Sequence, residues 1–134
     1  MVVDDRAEAL ELLEEILSLE HGMRVVQRLS ATVDDLAAEQ PDLLVLDLWV
    51  GPAQRANGWS LACAARRDPR LRDVGIVLTS ADRRSLDRFA DPAQRNDVVL
   101  LSKPFGLDDL HHAVSSALAR RSHLSRVAPG APGP

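Results

Sequence analysis

The chain has 134 residues, 46% of them hydrophobic, which provides enough apolar side chain for one domain with a single core. Its formal net charge is −4, and acidic and basic residues are mixed along the sequence, which argues against a nucleic-acid-binding or membrane-binding surface. The single cysteine, Cys63, excludes an internal disulfide and suits a reducing compartment. No apolar run approaches the roughly 20 residues that span a bilayer, and the N-terminus has no secretory signal. These features predict a soluble cytoplasmic protein.

The first half of the chain predicts three strands and two helices. The strands cover residues 2–3, 23–27 and 43–48. The first helix is predicted from apolar residues at helical spacing between Leu10 and Leu17, and the second is predicted to begin after Thr32. Gly22 is expected to end the first helix. Thr32, with Asp35 three residues later, has the spacing of an N-terminal helix cap. Pro41 breaks the chain before the third strand.

The second half predicts two more strands and three helices. The strands cover residues 75–80 and 98–101, the helices cover 59–67, 84–90 and 107–121, and residues 49–58 and 91–97 form loops. On the last helix, Leu107, Leu110, Val114 and Leu118 are expected to share one apolar face. The remaining segment, 122–134, ends in a run rich in Pro and Gly and is predicted to be a disordered tail.

The alternation of strands and helices indicates an α/β fold of the (βα)5 type. Strands dominated by Val, Ile and Leu are typical of a doubly wound parallel sheet that helices cover on both faces. This single domain is predicted to span residues 1–121. In open parallel sheets, ligands bind beyond the carboxyl ends of the strands, so polar residues at those ends are the candidate functional residues.

Asp47 stands out because it interrupts the apolar run "LLVLDLWVGP". Burying a lone carboxylate is costly unless it has a cation or hydrogen-bond partners. Other polar residues end the neighbouring strands: Asp4, Asp5, Thr79, Ser80 and Lys103. Three carboxylates that meet at one edge repel one another, and a hard ion such as Mg²⁺, which prefers oxygen ligands, relieves that repulsion. A carboxylate beside such an ion can act as a nucleophile and form an aspartyl phosphate.

Four short motifs then resemble one known family. "VVDD", "PDLLVLDL", "GIVLTSA" and "LSKPF" are similar, in order and in spacing, to the CheY-like receiver domains of two-component response regulators. The likeness covers roughly residues 2–120. It implies a flavodoxin-like fold with a five-stranded parallel sheet in the order 2-1-3-4-5. It also implies a phosphoacceptor signalling domain rather than an enzyme.

The resemblance assigns a metal site to the acidic residues. It implies that Asp5 and Asp47 bind Mg²⁺ directly and that Asp4 does so through a water molecule. The backbone carbonyl of Trp49 is the implied third protein ligand.

The resemblance also assigns the phosphoryl chemistry. It implies that Asp47 accepts a phosphoryl group from a sensor histidine kinase or a phosphotransfer protein. Lys103 then pairs with the acyl-phosphate oxygens, and its bond to Pro104 is expected to be cis. Thr79 is expected to hydrogen-bond the phosphoryl group and to shift inward on activation. The signal passes to a downstream protein, and the face of helix 4, strand 5 and helix 5 is the implied surface for any homodimer.

The loop after Asp47 and the residue at position 100 depart from the family pattern. The loop "WVGPAQRANG" after Asp47 keeps Asn57-Gly58 but is longer than usual, and Val-Gly replaces the usual Met. Leu100 occupies the position of the aromatic switch residue, and the chain contains no Tyr. The usual coupling between the hydroxyl residue and that aromatic residue therefore cannot operate unchanged.

Two alternative functions remain open. A receiver-like scaffold could bind partners without being phosphorylated, and the altered loop and Leu100 favour that interpretation. An aspartate-nucleophile phosphatase is the other alternative. Such enzymes typically need a second acid two residues after the nucleophile, and here that position is Trp49, which cannot transfer a proton.

Overall fold

The computed structural model describes residues 1–4, 6–28, 31–48 and 57–127, and along them five strands alternate with five helices. In chain order the elements are β1 (Val2–Val3), α1 (Ala7–His21), β2 (Gln27–Arg28), α2 (Val33–Ala38), β3 (Leu43–Asp47), α3 (Asn57–Arg67), β4 (Gly75–Ser80), α4 (Arg83–Arg95), β5 (Val98–Ser102) and α5 (Leu107–Val127). All strand pairs are parallel, and the sheet order is β2-β1-β3-β4-β5. The predicted doubly wound, flavodoxin-like α/β fold is confirmed.

Within the described residues, two apolar cores cover the two faces of the sheet. Leu44 and Leu46 of β3 pack on the side of α2, α3 and α4. Leu43 and Val45 of the same strand pack on the side of α1 and α5. Because successive side chains of a strand point to opposite faces and both faces are buried here, β3 is apolar at every position before Asp47.

The predicted signals at helix ends are confirmed. Gly22 ends α1 in the left-handed conformation, with φ 63°, and its amide donates to carbonyls in the last turn. Thr32 and Asp35 form a reciprocal capping box at the start of α2. The backbone and side chain of Thr32 donate hydrogen bonds to the Asp35 carboxylate, and they lower its pKa.

Several predicted boundaries are wrong. The second strand was expected at 23–27 but pairs only at Gln27 and Arg28, because its neighbour β1 has just two residues with which to pair. Residues 91–95 were expected in a loop but form the end of α4, with Pro92 inside the helix. Proline in a helix lacks one hydrogen-bond donor. Here the backbone and side chain of Asn96 both donate to the Pro92 carbonyl and close the helix end.

Helix α5 packs on the sheet through most of its predicted apolar face and through two small residues. Leu110 and Val114 are buried and Leu118 is partly buried against the same core, as expected, but Leu107 is 45% exposed. Ala113 and Ala117, which the prediction did not include, are also buried. The helix backbone comes so close to β4 that a Cβ on Gly75 would lie 3.0 Å from the Ala117 carbonyl oxygen. Only small side chains fit between two backbones at that distance.

The length of α5 also differs from the expected length. The helix runs to Val127, past residue 121, where the predicted domain ended and the predicted tail began. Residues 128–134 of that tail lie outside the described residues. Although α5 has 21 residues, neither it nor any other helix in the described part of the chain is long and apolar enough to cross a membrane.

Arg66, near the end of α3, joins three segments at the amino ends of β4 and β5. Its guanidinium donates hydrogen bonds to four backbone carbonyls: those of Arg72 (2.6 Å), Val74 (2.7 Å), Asn96 (2.9 Å) and Asp97 (3.1 Å). Burial lowers the pKa of this guanidinium, and the nearby Asp97 carboxylate partly offsets the effect. The bonds fix the turns that lead into both strands.

Replacing Arg66 with Met tests this role. The substitution is expected to lower the free energy of unfolding by about 2–3 kcal/mol, because partly buried carbonyls lose a charged donor. Arg67 is exposed on the same helix turn, so Arg67→Met should change it by less than about 0.5 kcal/mol. Urea denaturation measures both values. If the free energy of unfolding falls equally in the two variants, the role of the Arg66 guanidinium is contradicted.

Candidate functional site

Polar side chains from four elements meet at the carboxyl edge of the sheet. Asp4 follows β1, and Asp47 is the last residue of β3. Thr79 lies near the end of β4, and Lys103 follows β5. Because β1, β3, β4 and β5 are successive neighbours in a parallel sheet, their ends lie side by side. Asp47 and Thr79 are direct partners in the β3–β4 register.

The ammonium group of Lys103 connects two of the predicted carboxylates. Lys103 Nζ donates to Asp4 Oδ2 at 2.7 Å and to Asp47 Oδ1 at 3.2 Å. All three side chains are largely shielded from water, with 16%, 2% and 12% exposure for Lys103, Asp4 and Asp47. Charges with so little hydration are tolerated when they are paired and hydrogen-bonded. Lys103 is therefore a cationic partner of Asp47, whereas the Mg²⁺ expected beside Asp47 stays a prediction.

The two hydroxyl residues at the end of β4 have different roles. Thr79 Oγ1 lies 3.4 Å from Asp47 Oδ1 and 3.4 Å from the Leu46 carbonyl oxygen, so it donates only weakly to either. Ser80 is completely buried, and its Oγ accepts the amide hydrogen of Asp82 at the start of α4. Thr79 therefore faces the carboxylate, as predicted, whereas Ser80 shapes the turn into α4.

The peptide bond that follows Lys103 has the predicted geometry. The Lys103–Pro104 bond is cis, as the family resemblance implied. The Lys103 amide donates to the Ser80 carbonyl oxygen at 2.8 Å, so the loop after β5 is fixed against the end of β4. This backbone contact holds the lysine at the carboxyl edge.

The predicted magnesium site is described only in part. Asp5 and Trp49, two of its expected ligands, lie outside the described residues. Asp4 and Asp47 are the other two, and they share the Lys103 ammonium. In the portion of the chain that the structure describes, no group of three or more His, Cys, Asp or Glu side chains is placed to hold a metal ion.

The surroundings of Asp4 fit the contact that was predicted for it. Asp4 Oδ1 accepts the amide hydrogen of Arg6 at 3.0 Å, and Oδ2 accepts from Lys103. Because both oxygens already have protein partners, contact with an ion through water suits Asp4 better than direct coordination. The carboxylates of Asp4 and Asp47 offer hard oxygen donors, which match Mg²⁺. Magnesium binding stays a prediction.

The fold matches solved structures, although no protein-family model matches the chain and no curated protein is significantly similar to it. NtrX from Brucella abortus, in complex with ATP, is 26% identical, with a TM-score of 0.71 over 94% of this chain and 28% of the NtrX chain. A response regulator receiver domain protein from Clostridium thermocellum is 17% identical, with a TM-score of 0.71 over 92% of this chain and 95% of that one. Chemotaxis response regulator CheY4 of Vibrio cholerae is 20% identical, with a TM-score of 0.66 over 87% of this chain and 95% of that one.

The chain has the receiver-domain fold. The predicted resemblance to CheY-like receiver domains is confirmed, because this chain covers nearly the whole of two solved receiver proteins. It corresponds to less than a third of NtrX, so the activity of that whole protein does not transfer to it.

The position that the family resemblance assigned to an aromatic switch residue has an aliphatic side chain. Leu100 lies on β5 opposite Leu78 of β4 and is partly buried. It packs against the core on the side of α2, α3 and α4. An aliphatic side chain there has no ring to rotate between an inward and an outward position.

Gly58 makes a close backbone contact that the sequence did not predict. A Cβ at Gly58 would lie 2.0 Å from the carbonyl oxygen of Asp47 and 3.0 Å from the Cα of Leu48. The Gly58 amide also donates to the Leu48 carbonyl oxygen at 3.1 Å. The first turn of α3 therefore touches the backbone of the candidate acceptor directly. The Asn57-Gly58 pair was visible in the sequence, but its spatial partner was not.

Gly58→Ala tests the close approach. The added methyl group must displace backbone atoms, so the free energy of unfolding should fall by about 2–3 kcal/mol. Gly106→Ala is the matched control, because the nearest atom there is the Asp109 side-chain oxygen at 3.6 Å. That substitution should cost less than about 1 kcal/mol. If thermal and urea denaturation show that Gly58→Ala lowers the free energy of unfolding by no more than Gly106→Ala does, the close approach is absent in solution.

Proposed function

We propose that this chain is a receiver that accepts a phosphoryl group on Asp47 from a sensor histidine kinase or a phosphotransfer protein. In this proposal Mg²⁺ is required, and the phosphorylated chain signals to a partner protein by a conformational change. One observation carries the proposal: Asp47, at the carboxyl edge of a receiver fold, shares the Lys103 ammonium with Asp4 and has the Thr79 hydroxyl beside it.

The proposed reaction is an in-line phosphoryl transfer. A carboxylate oxygen of Asp47 forms a bond to phosphorus while the P–N bond of a donor phosphohistidine breaks, and the imidazole nitrogen keeps the electron pair. Mg²⁺, when bound, neutralises the negative charge on the transferring phosphoryl oxygens. The Lys103 ammonium, 3.2 Å from Asp47 Oδ1, lies where it can neutralise part of the same charge.

Lys103 and Thr79 recognise the transferred group in this proposal. Lys103 is closer to Asp4 than to Asp47, so Asp4 can hold the ammonium in place when it turns from the Asp47 carboxylate to a phosphoryl oxygen. The Thr79 hydroxyl makes only long contacts in the structure. It gains a stronger, charge-assisted hydrogen bond by moving toward a phosphoryl oxygen.

Two surface grooves suit the two kinds of partner. A groove of about 440 Å³ beside Lys103 is lined by Leu12, which is 51% exposed, and Phe105, and it suits the phosphoryl donor. A groove of about 400 Å³, lined by Leu100 and His112, lies on the face of α4, β5 and α5. We propose this face for the downstream partner and for any homodimer.

A receiver-like scaffold that is never phosphorylated is the second candidate. Leu100 favours it, because the aromatic switch of the family is absent. The presence of Asp4, Asp47 and Lys103 in one cluster favours phosphorylation. The same experiment separates the two functions.

Incubating the chain with acetyl phosphate and Mg²⁺ tests the proposal. We expect intact-mass spectrometry to find the added mass of one phosphoryl group on most wild-type molecules. Asp47→Asn should gain none, because an amide is not a nucleophile toward phosphorus. Asp91→Asn changes an exposed carboxylate on α4 and should be phosphorylated like the wild type. Chelation of Mg²⁺ with EDTA should abolish the modification.

The outcomes separate the alternatives. Equal modification of wild type and Asp47→Asn would rule out Asp47 as the acceptor. The scaffold function is favoured if neither acetyl phosphate nor a histidine kinase phosphorylates the wild type and if fluoroberyllate does not bind to it. Sustained release of inorganic phosphate from phosphomonoesters would favour the phosphatase alternative.

A further inference from the structure

The first turn of α3 follows the backbone of Asp47 without an intervening side chain. Gly58 lies so close to the Asp47 carbonyl oxygen that no Cβ fits between them. A hydrogen bond from the Gly58 amide to the Leu48 carbonyl oxygen, at 3.1 Å, closes the contact. Because closely packed backbones cannot compress, a shift of the β3 end must displace Gly58.

The next residue along α3 contacts α4. The rings of Trp59 and Phe89 have centroids 4.9 Å apart and planes tilted by 32°. Both side chains are partly buried against the core on the side of α2, α3 and α4. Aromatic pairs prefer particular offset and tilted arrangements, so a displaced Trp59 ring changes the preferred position of Phe89.

Helix α4 has few other apolar contacts to hold it in place. Of its 13 residues, all of them described, only Ser85, Leu86 and Ala93 are buried. An element with few buried apolar contacts opens and moves at low free-energy cost. Leu100 has no ring, whereas the Trp59–Phe89 contact joins α4 to the helix that touches the Asp47 backbone.

We propose that phosphorylation of Asp47 reaches α4 through the first turn of α3, by the contact of Trp59 with Phe89. This inference rests on the proposed phosphoacceptor function and adds the route by which the signal leaves the site. The displacement of Asp47 and Leu48 moves Gly58, Trp59 follows as its neighbour on the same helix turn, and Phe89 carries the change into α4. Coupling of this kind requires a packed chain of contacts with two arrangements.

Hydrogen exchange of α4 amides in the full chain, with Mg²⁺ and with or without fluoroberyllate, tests the route. In the wild type, the exchange rates of residues 83–95 are expected to change by at least about fivefold. In Trp59→Leu and in Phe89→Leu the change should fall below about twofold. Trp59→Phe keeps a ring and should retain the wild-type response.

Leu86→Ala is the matched control. It removes a buried side chain from the same helix but leaves the ring contact intact, so its α4 response should remain at least about fivefold. A full response in Phe89→Leu, or a loss in Leu86→Ala as large as in Phe89→Leu, would overturn the proposal.

A second measurement is made on the wild type and needs only one variant, Trp59→Phe, for assignment. The chain has two Trp residues, so 5-fluorotryptophan labelling gives two ¹⁹F resonances, and Trp59→Phe assigns the one from residue 59. Fluoroberyllate should shift that resonance, and an unshifted resonance would overturn the route. The ¹⁹F signal of bound fluoroberyllate reports occupancy in the same spectra. If the wild type shows no signal of bound fluoroberyllate, the phosphoacceptor function is contradicted, and the route is contradicted with it. If fluoroberyllate binds but hydrogen exchange of α4 changes equally with and without the aromatic rings, only the route is contradicted.

Discussion

The ammonium group of Lys103, shared between Asp4 and Asp47, is the interaction on which the rest of the site depends. It joins the loop after β5 to the ends of β1 and β3. Without this cation, Asp47, a largely shielded carboxylate at the end of an apolar run, would lose an ion-pair partner, which is unfavourable. Buried ion pairs are weak evidence for stability in themselves. Their cost is more readily explained by a site that must attract and hold an anion.

Two close backbone approaches position helices against the two faces of the sheet. On one face of the sheet, α5 approaches Gly75, and on the other, α3 approaches the end of β3 at Gly58. The first contact lies at the start of β4, away from the carboxyl edge, and serves packing. The second touches the candidate acceptor itself. Movement at Asp47 is therefore transmitted more directly to the side of α3 and α4 than to the side of α1 and α5.

Much of the fold was predictable because each signal was local. Hydrophobic periodicity identified the strands β3 and β4, and the Thr32–Asp35 spacing located the start of α2. Where prediction was wrong, a distant partner decided the outcome. The extent of β2 depends on the length of β1, and the burial of Ala113 and Ala117 on α5 depends on how closely the helix backbone approaches Gly75.

The same distinction applies to the site. Strand order brings Asp4, Asp47, Thr79 and Lys103 together, and the sequence predicted that grouping from the strand ends. The contacts of Gly58 and Trp59 were missed, because a glycine pattern does not reveal which backbone lies against it, and a lone Trp does not reveal its ring partner. Asp5 and Trp49 lie outside the described residues, so their assignment to the metal site still rests on the family resemblance.

A double-mutant cycle between Asp4 and Lys103 tests the central ion pair most directly. The free energies of unfolding of wild type, Asp4→Asn, Lys103→Met and the double variant give the coupling between the two side chains. Because the pair is largely shielded from water, the predicted coupling is about 1–3 kcal/mol. The exposed pair of Arg70 with Asp34 should give less than about 1 kcal/mol in the same cycle. Additive effects of Asp4→Asn and Lys103→Met, within about 0.3 kcal/mol, would contradict the account.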